Sequence, residues 1–102
     1  MAGMNTQQEI LYFLRHNKAL LQKEYHISKI GLFGSFARNE QHSNSDVDIL
    51  IELDSNAKNI YDLKESLRHF LSSSFGRKVD LAREKYLKPF AKEAILKDTL
   101  FV

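Results

Sequence analysis

Three carboxylates and one glycine–serine pair are the residues whose types and spacing suit chemistry on a phosphate. Asp46 and Asp48 are separated by Val47 in a segment whose apolar residues alternate. In a strand, side chains at i and i+2 leave the same face. The two carboxylates therefore project together, while Val47 and Ile49 turn towards the core. Such neighbours repel each other unless a cation lies between them. The pair suits Mg²⁺, a hard ion that takes oxygen ligands and shares them with substrate phosphates. An isolated D-x-D is more often the polar start of an edge strand, because Asp is common beside turns.

Gly34-Ser35 closes the preceding apolar segment. Glycine lets the backbone approach a bulky anion, and a serine hydroxyl with free N–H groups at a helix start can bind phosphate oxygens. Alone, such a pair usually marks a turn. In the order strand, Gly-Ser, helical turn, polar loop, Ser45-Asp46-Val47-Asp48-Ile49, it puts phosphate donors beside cation ligands. Asp80 lies on the outward face of a third short strand, opposite Val79 and Leu81. If that strand lies beside the Asp46 strand, all three carboxylates converge. Asp80 can then complete a metal shell and take the proton from an attacking hydroxyl. Its other reading is a surface ion pair with Arg77 or Lys78.

The elements that must hold these residues are legible in outline. Thr6-Gln7-Gln8-Glu9 forms a capping box. Ile10, Phe13, Leu14, Leu20 and Leu21 then fall near one helical face, predicting a helix to about Lys23. A strand over 28–33, with Ile30 and Leu32 on one side, runs into Gly34. A helical turn over 36–40 follows, and then a polar stretch over 41–44. Val47, Ile49, Ile51 and Leu53 alternate with Asp46, Asp48, Leu50 and Glu52 in the clearest strand. Ile60, Leu63, Leu67, Phe70 and Leu71 space a second helix, Gly76 breaks the chain, and 78–82 is a strand. Pro89 suits the first turn of a last helix, in which Phe90, Ala94 and Ile95 are expected to face the core. Leu100-Phe101-Val102 reads as a closing edge strand, with the chain end packed on its own core. The order α-β-(short α)-β-α-β-α-β describes an α/β or α+β domain, a small mixed sheet covered by helices.

Composition narrows the field. The chain has 102 residues, 43% of them hydrophobic, which suits one modest core. Lys and Arg outnumber Asp and Glu by 15 to 13 and are scattered, so no strong nucleic-acid or anionic-membrane binding is expected. With no cysteine there is no disulfide, thiolate catalysis or Cys-type zinc site. His16, His26, His42 and His69 lack metal-ligand spacing. No apolar run reaches membrane-span length, and Met-Ala-Gly-Met-Asn lacks the pattern of a signal peptide. The expectation is a cytoplasmic protein.

The run Gly34-Ser35-Phe36-Ala37-Arg38-Asn39 … Ser45-Asp46-Val47-Asp48-Ile49 resembles the signature of the polymerase-β-like nucleotidyltransferases. Its best match is the minimal nucleotidyltransferase (MNT) group, with the pattern G-S-x-A-R-G … S-D-x-D-[IL]. The resemblance covers essentially the whole chain, read as a single minimal nucleotidyltransferase domain over 1–102. It implies a two-metal transfer of AMP from ATP onto a hydroxyl, with pyrophosphate leaving. Gly34 and Ser35 would bind the β/γ-phosphates, and Asp46 and Asp48 both Mg²⁺ ions. Asp80 would share the catalytic ion and assist as base. Arg38 would either reach a phosphate or brace the loop through a carboxylate such as Glu40 or Asp46.

Two positions depart from the pattern. Asn39 replaces the usual glycine, and asparagine tolerates a left-handed backbone better than most residues. Phe36 stands where polar or basic residues are frequent, a change expected to alter nucleotide or partner contacts. The resemblance further implies a HEPN-domain toxin as partner and acceptor, adenylylated on a tyrosine, with this chain as the antitoxin in a hetero-oligomer. The chain's small size points the same way, because the acceptor must bring its own docking surface. Two other readings stand beside this one. One is an antitoxin acting by complex formation without catalysis, and the other is a subunit of a small-molecule nucleotidyltransferase. The full Gly-Ser, Asp, Asp, Asp set favours activity, since a pure binder has no need of three mutually repelling carboxylates.

Overall fold

The computed structural model describes residues 3–102; Met1 and Ala2, which open the stretch read above for a leader, lie outside the described residues. The capping box forms as its sequence requires. Thr6 Oγ1 accepts the Glu9 N–H and Glu9 Oε1 accepts the Thr6 N–H, each at 3.1 Å, opening α1 (Gln7–His16). The predicted single helix is divided at Asn17, whose side-chain amide donates to the Phe13 carbonyl at 2.9 Å. A side chain competing for a helical acceptor in this way favours a local break. A second helix, α2 (Lys18–Tyr25), buries only Leu21.

The remaining elements follow the expected order: β1 (Ile27–Phe33), the short α3 (Gly34–Ala37), β2 (Val47–Leu53), α4 (Ile60–Phe75), β3 (Val79–Arg83), a 3-10 turn (Glu84–Tyr86), α5 (Pro89–Asp98) and β4 (Leu100–Phe101). The strands form one mixed sheet in the order β3-β2-β1-β4. β1 pairs antiparallel with both β2 and β4, whereas β2 and β3 are parallel and joined through α4. This is a mixed α+β architecture.

Val47, Ile49 and Ile51 are fully buried on one face of β2, with Ile30 and Leu32 of β1 beside them. A bulge between Ile27 and Lys29 brings Ile27 opposite Leu53 and onto the same face. Ile10, Leu14, Leu67, Leu71 and Phe75 from α1 and α4 complete this core. Leu50, on the opposite face, is also fully buried and stands outside that cluster. Its row across the sheet runs Ala82, Leu50, Gly31, Phe101. A Cβ on Gly31 would come within 2.6 Å of Thr99 Cγ2 and 2.9 Å of the Phe101 ring. Glycine there admits the returning β4, so the chain end packs on its own sheet as expected.

Two helices depart from expectation, α4 in its length and α5 in its face. α4 runs on through Ser72-Ser73-Ser74 to Phe75, because the Ser72 and Ser74 hydroxyls find backbone carbonyls at Arg77 and Phe70. The left-handed Gly76 then ends it. In α5, Phe90 is 86% exposed and Ala94 is exposed; the inward residues are Ala91, Lys92, Ile95 and Leu96, none fully buried. Ala91/Ile95 and Phe90/Ala94 are both i, i+4 pairs, so the pattern alone allowed either face. Packing against β1 and α3 selects the first. Among the described residues no helix is long and apolar enough to cross a membrane.

Candidate active site

The carboxylates meet where β1 ends and β2 and β3 begin. Asp46 immediately precedes β2, Asp48 is its second residue and Asp80 is the second residue of β3. The parallel register makes Asp48 and Asp80 direct neighbours, and Phe33, the last residue of β1, lies opposite Asp48 on the other side. The expected adjacency of the Asp80 strand and the Asp46–Asp48 strand therefore forms. Asp80 is exposed, Asp46 intermediate and Asp48 half-buried. Burial pushes the Asp48 carboxyl up to about 6, and the charges of Asp80 and then Asp46 push it the same way, against the opposing pull of Arg38.

Gly34 is fitted to that carboxylate. It begins α3 at φ +74°, and an added Cβ would collide with Asp48 Oδ2. The Gly-Ser turn thus sits directly on Asp48. The first amides of a helix have no partners within it, and in α3 those amides belong to Gly34 and Ser35, next to Asp48. Asn39 takes up the left-handed backbone expected of it, at φ +57°. Phe36 does not face a nucleotide or a partner: it is fully buried in the core. The short α3 needs an apolar anchor to hold Gly34-Ser35 at the sheet end, and Phe36 supplies it.

Arg38 is held by carboxylates, as the bracing reading anticipated, but its second partner differs. Its Nε donates to Glu40 Oε1 at 2.9 Å, and a terminal nitrogen lies 3.7 Å from Asp98 Oδ2 at the end of α5. Asp98 takes the place proposed for Asp46, because the return of α5 to α3 brings it within reach. Arg77, offered above as an ion-pair partner for Asp80, turns the other way and donates to carbonyls of the 42–45 loop.

Two residues gain roles here that their sequence positions did not suggest. Ser45 closes a tight turn, its N–H donating to the His42 carbonyl at 3.0 Å and its Oγ accepting the His42 N–H at 2.9 Å. Only the S-D-x-D spacing hinted at that. Arg77 had no signal beyond its place before β3.

The donor set fits a hard divalent cation. Its oxygens are anionic and mutually repelling, and the central one is partly withdrawn from water. Among the described residues no three carboxylate or imidazole groups gather closely enough to enclose an ion by themselves. In sites for such an ion, substrate phosphates supply part of the oxygen shell.

The Nucleotidyltransferase domain family matches residues 14–102. The chain is 38% identical over 100 residues to "Putative protein adenylyltransferase MJ1379" of Methanocaldococcus jannaschii, with 97% of this chain and 100% of that protein covered. It is 30% identical over 100 residues to "Protein adenylyltransferase MntA" of Thermococcus cleftensis, with coverage of 98% and 99%. A solved "putative minimal nucleotidyltransferase" matches with a TM-score of 0.76 at 25% identity, covering 94% of this chain and 95% of that one. A toxin–antitoxin crystal structure with AMP-PNP shares the fold, at a TM-score of 0.66 and 24% identity over 84% of this chain and 69% of that one. With a match over most of its length, and three carboxylates and a Gly-Ser turn brought to one end of the same sheet, the chain belongs to the nucleotidyltransferase domain family.

Proposed function

We propose that the protein transfers AMP from ATP to a hydroxyl of a HEPN-family toxin, a tyrosine hydroxyl, and so acts as its antitoxin in the cytoplasm. The observation that carries this reading is the register of Asp48 with Asp80, with Gly34 closed onto the Asp48 carboxylate. The names of its relatives, protein adenylyltransferases, and its likeness to a toxin–antitoxin structure holding AMP-PNP support the choice of reaction and partner.

In this reading the Gly34 and Ser35 amides and the Ser35 hydroxyl bind the β- and γ-phosphates. Asp46 and Asp48 hold two Mg²⁺ ions, and Asp80 contributes to the catalytic one. When bound, the ions neutralise the phosphate oxygens and lower the pKa of the attacking hydroxyl. The acceptor oxygen bonds to the α-phosphorus, the α–β bridging P–O bond breaks, and pyrophosphate leaves. Asp80, exposed at the sheet edge, takes the hydroxyl proton. Arg38 adds positive charge beside the phosphates while Glu40 and Asp98 hold it in place.

The test is intact-mass measurement of a HEPN-family toxin that binds this protein, after incubation with ATP, Mg²⁺ and the protein. One added AMP on a tyrosine, with loss of toxin activity, is the expected result. Silencing of the toxin with no AMP added would overturn the catalytic reading and leave complex formation as the mechanism. AMP found on a small molecule alone would overturn the protein acceptor.

A further inference from the structure

Arg77 lies between α4 and β3, and its guanidinium ties the 42–45 loop to residues 4–5. Nε donates to the Met4 carbonyl at 2.6 Å, one terminal nitrogen donates to the Ser43 and Ser45 carbonyls at 3.0 Å each, and the other donates to Asn5 Oδ1 at 2.8 Å. The group also lies over the Phe36 ring, 5.2 Å from its centroid. With the His42 carbonyl at 3.4 Å, all five hydrogen-bond acceptors are neutral, so this is not an ion pair. It is a planar fork used for its geometry.

The Ser45 carbonyl belongs to the peptide that joins Ser45 to Asp46. A peptide is planar, so fixing that oxygen fixes the plane from which Asp46 departs. Arg77 is itself held in place: its carbonyl accepts the Ser72 hydroxyl at 2.7 Å, and the next carbonyl, that of Lys78, accepts the Val47 N–H at 2.9 Å. The same residue therefore ties the approach to Asp46 on one side to the start of the strand bearing Asp80 on the other. Phe36, beneath the guanidinium, carries Ser35 on the same short helix.

We propose that Arg77 is a positioning residue for the nucleotidyl-transfer site, holding the 42–45 loop so that Asp46 is delivered beside Asp48 and Asp80. The inference rests on the reading of those carboxylates as the metal ligands. It differs from a general role in attracting a triphosphate. An attracting charge is satisfied by lysine, whereas this hold needs several donors in one rigid plane, which an ammonium on a flexible stem does not present.

Arg77→Lys and Arg77→Gln in the full chain test it, with three readouts. These are hydrogen exchange of the 42–47 amides in the metal-free protein, Mn²⁺ affinity by electron paramagnetic resonance with α,β-methylene-ATP, and thermal stability. Loss of an outer partner that orients a metal ligand weakens metal binding about 10- to 100-fold. The expected result is therefore Mn²⁺ binding at least about tenfold weaker in both variants, with faster exchange confined to the loop and residues 4–5. Wild-type affinity in Arg77→Lys would overturn the proposal, leaving only a charge effect. Faster exchange throughout the chain would also overturn it, making Arg77 a general structural residue. If the wild-type protein itself binds no Mn²⁺ with the nucleotide, the metal reading fails first, a result distinct from either of these.

Discussion

Replacing Asp48 with asparagine should make the metal-free protein more stable while abolishing its activity. The folded protein raises the Asp48 carboxyl from 3.8 to about 6, through burial first and then the charges of Asp80 and Asp46. Because the folded value lies above the unfolded one, the native state binds the proton more tightly between these limits. Stability therefore falls as pH rises from about 3.8 through about 6, and the full penalty is present above that window. A rise of this size corresponds to about 3 kcal/mol at 1.36 kcal/mol per pKa unit. Asp48 is only half-buried, so solvent screening reduces this to about 1–2 kcal/mol. Asparagine keeps the shape and carries no charge, so Asp48→Asn should gain that amount at pH 7.5, about 5–10 °C in Tm for a domain of this size. At pH 4 most of the gain should be lost. The assay is thermal unfolding followed by circular dichroism between pH 4 and 8 in EDTA at low salt. With Mg²⁺ and ATP added, the wild-type Tm should rise while that of the variant stays unchanged, and the variant should transfer no AMP. A variant no more stable than wild type at pH 7.5, or a gain that does not depend on pH, would refute the account of three carboxylates held against their own repulsion.

Gly34→Ala should lose at least about 100-fold in transfer, since its Cβ would strike Asp48 Oδ2 at a backbone angle of φ +74°. Non-glycine residues held there cost about 1–3 kcal/mol, and urea unfolding together with the transfer assay checks both effects; full activity would show that the turn does not seat on Asp48. Phe36→Ala should destabilise the protein by about 3–5 kcal/mol by emptying a fully buried site. A loss under about 1 kcal/mol in urea unfolding would mean that Phe36 is not the anchor of α3.

What could be read early was set by short-range chemistry. The capping box, the alternation through Val47, Ile49 and Ile51, and Pro89 at the head of α5 each act within a few residues, and each forms as expected. The Gly-Ser and D-x-D halves of the candidate site were legible for the same reason. The misreadings arose where two local patterns were equally good. Either face of α5 satisfied helical spacing, and Asn17 could have continued its helix as easily as interrupted it.

The sequence by itself determined which residues can do chemistry and roughly which elements carry them, because residue type and periodicity are properties of the chain. Tertiary structure alone decided that Asp80 stands beside Asp48, that Arg38 is held by Asp98, that Phe36 is an anchor rather than a contact, and that Arg77 grips the loop before Asp46. Each of these joins residues distant in sequence. Such a contact exists only when strand order and register bring two segments together, and those follow from packing the whole core.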